Sequence, residues 1–372
     1  MKILELGKYY PPYKGGMETL LRSYCRGFAS AGHNVRCLVA NDQGGTVRDK
    51  VDGIQLVRLR QFGTFLSVSL SPQYIREALR MEADIWHVHQ PNPLADLACL
   101  LNRSKAKLII TYHSDIIRQS AVMGVYGFVL KAVLRRAWKI VVATPAHLKH
   151  SPWLQTVKHK VECIPFGIDL SGYQESRVDQ SLVAQFKREK GKRKVVLNVG
   201  RLVSYKGQSD LVRAMLKLDG IAWIIGSGPL EESLKREAEH LGVSDRVQFL
   251  GEVSDAELRA RMYAADVFAL PSITRNEAFG IVQVEAMACG KPVVSTDIPS
   301  GVPYVNRHGE TGLIVPPNDA TSLAGAIKTL FQEDDKRERM GKAARERALR
   351  EYDEPVMIER YLKLFQQAES AS

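Results

Sequence analysis

The sequence predicts an α/β chain built from two doubly wound parallel sheets. Three observations carry that prediction. At 372 residues the chain exceeds what one hydrophobic core usually supports, so two domains are expected. Its β-rich segments are short, continuous apolar runs, as expected for strands covered on both faces. Helical stretches separate nearly all of them, which is the pattern of βαβ crossovers.

In the first half the strands are Lys2–Leu6, Val35–Ala40, Ile54–Leu59, Ile85–His89, Leu108–His113 and Ile140–Thr144. Between them lie helices such as Met17–Ala31, closed by Gly32, and Pro93–Asn102. After Val161–Pro165 and Phe166-Gly167-Ile168-Asp169 comes a polar stretch, Ser171 to Lys194, which reads as the domain junction. The alternation then restarts with strands Val195–Val199, Trp223–Gly226, Val247–Leu250, Val267–Leu270, Pro292–Thr296 and Leu313–Val315. The helices between them are Asp210–Leu218, Leu230–Leu241, Asp255–Ala264, Ile281–Cys289 and Ala320–Phe331. Glu333 to Gln367 is charged and helical, interrupted at Pro355. The expected division is therefore 1–170, 171–354 and a closing helix, 355–372. Two such halves imply a ligand crevice at the carboxyl ends of the strands.

Composition narrows the class. Apolar content of 45% and charged content of 25% describe an ordinary globular protein. The five cysteines, Cys25, Cys37, Cys99, Cys163 and Cys289, are scattered and form no C-x-x-C pair, against a disulfide framework or a zinc site. The opening Met1–Gly7 is too short and too acidic for a secretory leader, and no apolar run approaches the roughly 20 residues that span a bilayer. A cytoplasmic protein is expected. A net charge of +11 calls for an anionic partner: nucleic acid, an anionic membrane or a phosphorylated metabolite.

Several loops could carry chemistry. Tyr10-Pro11-Pro12-Tyr13-Lys14-Gly15-Gly16-Met17-Glu18 follows the first strand, and its two glycines permit close backbone approach to a ligand or simply a tight turn. His113 ends a strand, where α/β crevices form, while His87 and His89 fit a buried strand and stay unassigned. In Gly200-Arg201-Leu202-Val203-Ser204-Tyr205-Lys206-Gly207 an arginine and a lysine share one strand-to-helix loop. A forked guanidinium and a point charge there suit a diphosphate. Gly226-Ser227-Gly228-Pro229-Leu230-Glu231 begins like a dinucleotide fingerprint, but Glu231 stands where its third glycine is wanted. Between Ile116 and Lys139, apolar residues with Arg118, Lys131, Arg135, Arg136 and Lys139 fit either an interfacial amphipathic helix or a core helix with a solvated basic edge.

The stretch from Asn276 to Val294 reads as loop, helix, glycine stop and buried strand, with Glu277 before the helix and Glu285 inside it. Gly280 allows close backbone approach, Ile281 to Cys289 supplies the helix, and Gly290 with Pro292 ends it. Exposed N–H groups near Phe279 to Val282 form a natural phosphate seat. Two solvated acids on an amphipathic helix is the plain alternative.

Together these stretches resemble the family-4 retaining glycosyltransferases of the GT-B fold, over nearly the whole chain. Four motifs occur in the family's order: Gly15-Gly16, Gly200-Arg201…Lys206-Gly207, Glu277-x7-Glu285 with Phe279-Gly280, and Gly309-Glu310-Thr311-Gly312-Leu313. The resemblance implies two Rossmann-like domains facing each other across a cleft. It assigns Glu277 to the hydroxyls of the transferred sugar and Glu285 to the ribose. Ala278, Phe279, Gly280, Ile281 and Val282 would offer backbone N–H groups to sugar and phosphate. Arg201 and Lys206 would carry the diphosphate, Glu252 and Val253 would meet the base, and Gly15 and Gly16 would approach diphosphate and acceptor. His113 would lie near the reacting sugar. The helix after Pro355 would return to the first domain.

The implied reaction is retaining transfer of a hexose from a UDP- or GDP-sugar to a glycan or lipid-linked acceptor, in surface-polysaccharide assembly. No metal or other cofactor is expected, and the chain holds no Asp-x-Asp metal motif. Peripheral contact with an anionic membrane fits the basic first half. A nucleotide-sugar epimerase of the same fold is the rival enzyme. A nucleic-acid binder is the rival from another class, but it lacks the aromatic and basic motifs of known modules.

Overall fold

Ile3, Leu4 and Leu6 are buried because their strand, β1 (Lys2–Leu6), runs between two parallel neighbours, with Ile3 opposite both Val35 and Ile85. A strand covered on both faces gains from apolar residues at every position, which is why the continuous runs predicted these strands. The computed structural model describes residues 1–371 except 14, 43, 66–67 and 114–119; side chains of 65, 68 and 120–125 are also outside the described set. The chain forms two compact units, Met1–Ile168 with Glu354–Ser372, and Asp169–Asp353.

In the first unit β2 (Asn34–Asn41), β3 (Val47–Val51) and β4 (Ile54–Arg60) lie to one side of β1. A short hairpin, β5 (Thr64–Phe65) and β6 (Val68–Ser69), stands apart from the sheet. To the other side lie β7 (Ile85–Gln90), β8 (Lys107–Tyr112), β9 (Lys139–Val142) and β10 (Val161–Cys163). The sheet order is β10-β9-β8-β7-β1-β2-β4-β3, parallel except for the β3–β4 pair. Sequence reasoning missed β3 because Val-Arg-Asp-Lys-Val is an exposed edge strand with no apolar run. It also missed the helix Gln73–Arg80, which buries only Tyr74 and Ala78. His113 lies just past β8, not within it. The closing helix Glu354–Ser370 packs Tyr361 and Phe365 against Tyr24 and Phe28 of the helix Gly16–Ser30, with Tyr24 and Tyr361 ring centres 4.8 Å apart.

The second unit carries β11 (Lys194–Val199), β12 (Gly220–Ile225), β13 (Val247–Gly251), β14 (Val267–Leu270), β15 (Val293–Thr296) and β16 (Gly312–Val315). Their order, β13-β12-β11-β14-β15-β16, is all parallel and reverses its winding between β11 and β14. Ligands of such sheets collect beyond the carboxyl ends at that reversal. The polar stretch taken as a junction is folded. It carries the helix Gln180–Lys190, capped by Asp179 and buried through Val183 and Phe186. Spaced three apart on one face, those two apolar residues sufficed to dock a helix that looked like linker.

Candidate active site

The reversal point of the second sheet brings together two of the loops singled out above, those after β11 and β14. Gly207 sits at φ 69°, and a Cβ there would meet the Pro271 carbonyl oxygen at 2.0 Å, so only glycine lets the two loops touch. A backbone hydrogen bond from Ile273 N–H to the Tyr205 carbonyl, 2.8 Å, ties them. Across this junction Lys206 Nζ lies 2.5 Å from Glu277 Oε2, and the buried Ser272 hydroxyl donates to the same oxygen at 3.1 Å. The lysine expected on diphosphate and the glutamate expected on sugar are thus joined, an interaction that spacing of 71 positions could not reveal. Arg201 is exposed, and its guanidinium has no partner among the described residues.

The loop after β12 packs beneath. Gly226 and Gly228 approach the backbone of Gly200 and Leu202 so closely that a Cβ would fall 2.2 and 2.4 Å from their carbonyl oxygens. The Gly-x-Gly that resembled a nucleotide fingerprint therefore serves loop-on-loop packing. Ser227 Oγ donates to Glu252 Oε1 at 2.8 Å, which holds the segment bearing Val253 just before the helix Asp255–Ala264.

Glu277 is followed by Ala278, whose carbonyl accepts from Gly301 N–H at 2.7 Å, and by buried Phe279, edge-on to Tyr352. Gly280, at φ 70° and ψ 56°, is the N-cap of the helix Ile281–Ala288. No side chain caps that terminus, so the first-turn N–H groups around Ile281 and Val282 keep the anion preference of a helix start. Gln283 reaches back to the Phe279 carbonyl at 2.7 Å and fixes the turn.

Glu285 points into a different environment from Glu277. Burial pushes its carboxyl up from the usual range, while a hydrogen bond from the Tyr173 hydroxyl and the Arg259 guanidinium pull it back. Tyr173 lies in the stretch read as linker, so nothing in the sequence marked it. The fourth motif is structural in this unit. Thr311 is buried against Asn306 at 2.9 Å, and a Cβ on Gly312 would fall 1.9 Å from the Val293 carbonyl oxygen.

In the first unit Gly15 is the extended N-cap of the helix Gly16–Ser30, and a Cβ there would strike the Glu18 carboxylate at 2.1 Å. Gly16 faces open space. His113 is buried, stacked between His89 and Phe166, and its Nε2 lies 3.2 Å from His89 Nδ1. Burial and the neighbouring histidines hold it neutral, well below the ordinary imidazole range. His87 and His89, unassigned on sequence, share the buried Glu5 carboxylate at 2.9 and 2.7 Å. Glu5 gave no signal because it alternates with core residues inside an apolar strand.

The expected interfacial helix is partly core: Leu130, Val133, Leu134 and Ala137 are buried and Arg136 donates to the Leu100 carbonyl at 3.0 Å, whereas Phe128 is 78% exposed. Ile116, Ile117 and Arg118 lie outside the described residues, as do the side chains of Val122, Met123 and Val125. No described helix is long and apolar enough to cross a membrane.

Comparison with known proteins bears on family and fold. Residues 14–171 match the family described as Glycosyltransferase Family 4, and residues 180–347 match Glycosyl transferases group 1. The chain is 33% identical to D-rhamnosyltransferase WbpZ of Pseudomonas aeruginosa over 358 residues, 93% of this chain and 91% of that one. It is 28% identical to O-antigen chain mannosyltransferase C of Escherichia coli, covering 98% of each. Among solved structures, Anabaena Alr3699/HepE in complex with UDP superposes with a TM-score of 0.78 at 21% identity, over 99% of this chain and 100% of that one. The chain, a GT-B protein of two Rossmann-like units, belongs to the family-4 glycosyltransferases.

Proposed function

We propose that this glycosyltransferase moves a hexose or deoxyhexose from a UDP- or GDP-sugar to a glycan or lipid-linked acceptor, with retained configuration and without a metal ion. The observation that carries the reading is the cluster at the sheet reversal: Arg201, the Lys206–Glu277 pair and the uncapped start of the helix Ile281–Ala288. It is a cationic seat with one carboxylate set into it. On this reading the acceptor hydroxyl oxygen bonds to the sugar's C1 as the C1–phosphate bond breaks, and the hydroxyl proton passes to the leaving phosphate oxygen. Arg201, Lys206 and the helix N–H groups stabilise the diphosphate's growing charge, and one such donor can be worth roughly 3–4 kcal/mol of barrier. These cations, together with the lack of an Asp-x-Asp motif, support a metal-free mechanism. As the diphosphate engages Lys206, Glu277 turns to the sugar hydroxyls, while Glu285 holds the ribose and His113 lies near the reacting sugar.

The relatives named for rhamnosyl transfer and O-antigen mannosylation support a place in surface-polysaccharide assembly. A lipid-linked acceptor and peripheral membrane contact agree with Phe128 standing exposed near the cations Lys131 and Arg135. A thermal-shift screen with UDP, GDP, ADP and their sugars tests the donor class, since bound ligand stabilises the fold by mass action. Stabilisation by UDP or GDP, lost in Arg201→Ala, is expected. Equal response to all nucleotides, or none, overturns the reading.

A further inference from the structure

A buried hydrogen-bond relay runs from the first strand to His113. Glu5 of β1 is fully buried, and its register sets it opposite His87 of β7. Its Oε1 lies 2.9 Å from His87 Nδ1 and its Oε2 2.7 Å from His89 Nε2. His89 Nδ1 in turn lies 3.2 Å from His113 Nε2, the two rings stacked at 25°. Burial alone would raise the Glu5 carboxyl, but the two histidines hydrogen-bonded to it, His87 foremost, outweigh burial and bring it down to about 2.

An ionised carboxylate only accepts hydrogen bonds, so the His89 nitrogen facing it must carry the proton. Burial holds His89 neutral. Its Nδ1 is then a lone pair, and the His113 nitrogen facing it must donate. His113 is neutral too, so its remaining ring nitrogen, Nδ1, is an acceptor. One ionised carboxylate and two neutral imidazoles set the direction of the whole relay.

We infer that Glu5 and His89 are positioning residues that fix His113 as the Nε2–H tautomer, leaving Nδ1 to accept a hydrogen bond from a substrate hydroxyl. The part of this concerning substrate rests on the proposed role of His113 beside the reacting sugar; the tautomer does not. Thr111 extends the network on the far side. Its Oγ1 lies 2.7 Å from both His87 Nε2 and the Tyr361 hydroxyl, so the closing helix is anchored to the same carboxylate. The three groups Glu5, His87 and His89 would also suit a divalent ion; it would take the ring nitrogens that face Glu5, leave the His89 proton on Nδ1 and reverse the His89–His113 bond.

Histidine-labelled protein, read by long-range proton–nitrogen correlation, tests this. The His113 pattern, assigned by its loss in His113→Gln, should be that of Nε2–H. His89→Leu removes the acceptor. It should give a mixed tautomer and lower kcat about 10- to 100-fold with little change in KM, by analogy with the loss when partners that orient metal-binding histidines are removed. His89→Asn sets an amide oxygen near the place of Nδ1 and should recover the Nε2–H form and much of the lost kcat. A wild-type Nδ1–H form overturns the inference, as does one equivalent of bound metal in the purified protein. So does a folded His89→Leu with tautomer and kcat unchanged. Full turnover in His113→Gln alongside a wild-type Nε2–H form instead sinks the role of His113 in transfer and leaves the relay standing.

Discussion

Lys206 Nζ sits 2.5 Å from Glu277 Oε2, and only 14% and 11% of the two side chains reach solvent. A pair so shielded is little screened by salt, and removing one partner strands the other. Lys206→Met should cost about 1–3 kcal/mol of stability by leaving the glutamate with Ser272 alone, and should lower turnover by 100-fold or more. The double variant Lys206→Met/Glu277→Gln should regain part of the stability and none of the turnover. Urea unfolding and initial rates on the four proteins of the cycle check this; strict additivity of the two stability losses would refute coupling.

Two glycines in otherwise similar motifs should respond in opposite ways. Gly207→Ala places a methyl 2.0 Å from the Pro271 carbonyl at φ 69° and should destabilise the second unit by about 2–3 kcal/mol. Gly16→Ala meets open space inside the first turn of a helix and should leave the melting temperature unchanged or slightly raised. If Gly16 nevertheless lets the backbone approach the donor, the same variant raises KM. Thermal melts and donor titrations separate these effects.

Glu285 offers a pH signature. Its folded carboxyl is raised above the ordinary 4.5, so its contribution to stability is fully present below that value and is lost as pH rises through the raised one. Tyr173→Phe removes a hydrogen bond to the charged form and should push the carboxyl higher still, enlarging the loss near neutrality. Carbon NMR titration of Glu285, wild type against Tyr173→Phe, reads the shift directly. A lower value in the variant would contradict the assignment.

Phe128 and the nearby cations predict salt-sensitive binding to anionic vesicles. Phe128→Ser should weaken vesicle binding without lowering turnover on a soluble acceptor analogue, because 78% of this side chain lies outside the fold. Co-sedimentation with and without anionic lipid checks it. Wild-type protein that stays wholly in the supernatant would remove the membrane from the proposal.

The parallel strands were legible because burial on both faces writes an unbroken apolar run, and Val267–Leu270 and Asp255–Ala264 appear with the expected bounds. What escaped were elements stabilised by few contacts or by polar ones. The exposed β3, the two-residue anchor of Gln180–Lys190 and the Tyr173 bond to Glu285 leave no periodic trace. The loops bearing Arg201, Lys206, Glu277 and Glu285 were marked by glycines and charge at strand ends. Their pairing was not, because the Lys206–Glu277 contact depends on how two distant loops meet over Gly207. Glu5 and His89 were hidden for the opposite reason: polar residues inside a core strand look like interruptions until their partners on the next strand are known.

The helix Glu354–Ser370 follows the whole second unit in sequence, yet it covers Tyr24, Phe28 and Thr111 of the first unit. During synthesis, the second unit, being one uninterrupted segment, is therefore free to close before the first is complete. The earlier half has an apolar helix face that residues 354–370 cover. A chain cut before Glu354 is expected to keep the second unit whole and to leave the apolar face of Gly16–Ser30 uncovered, which would make the first half the sticky species.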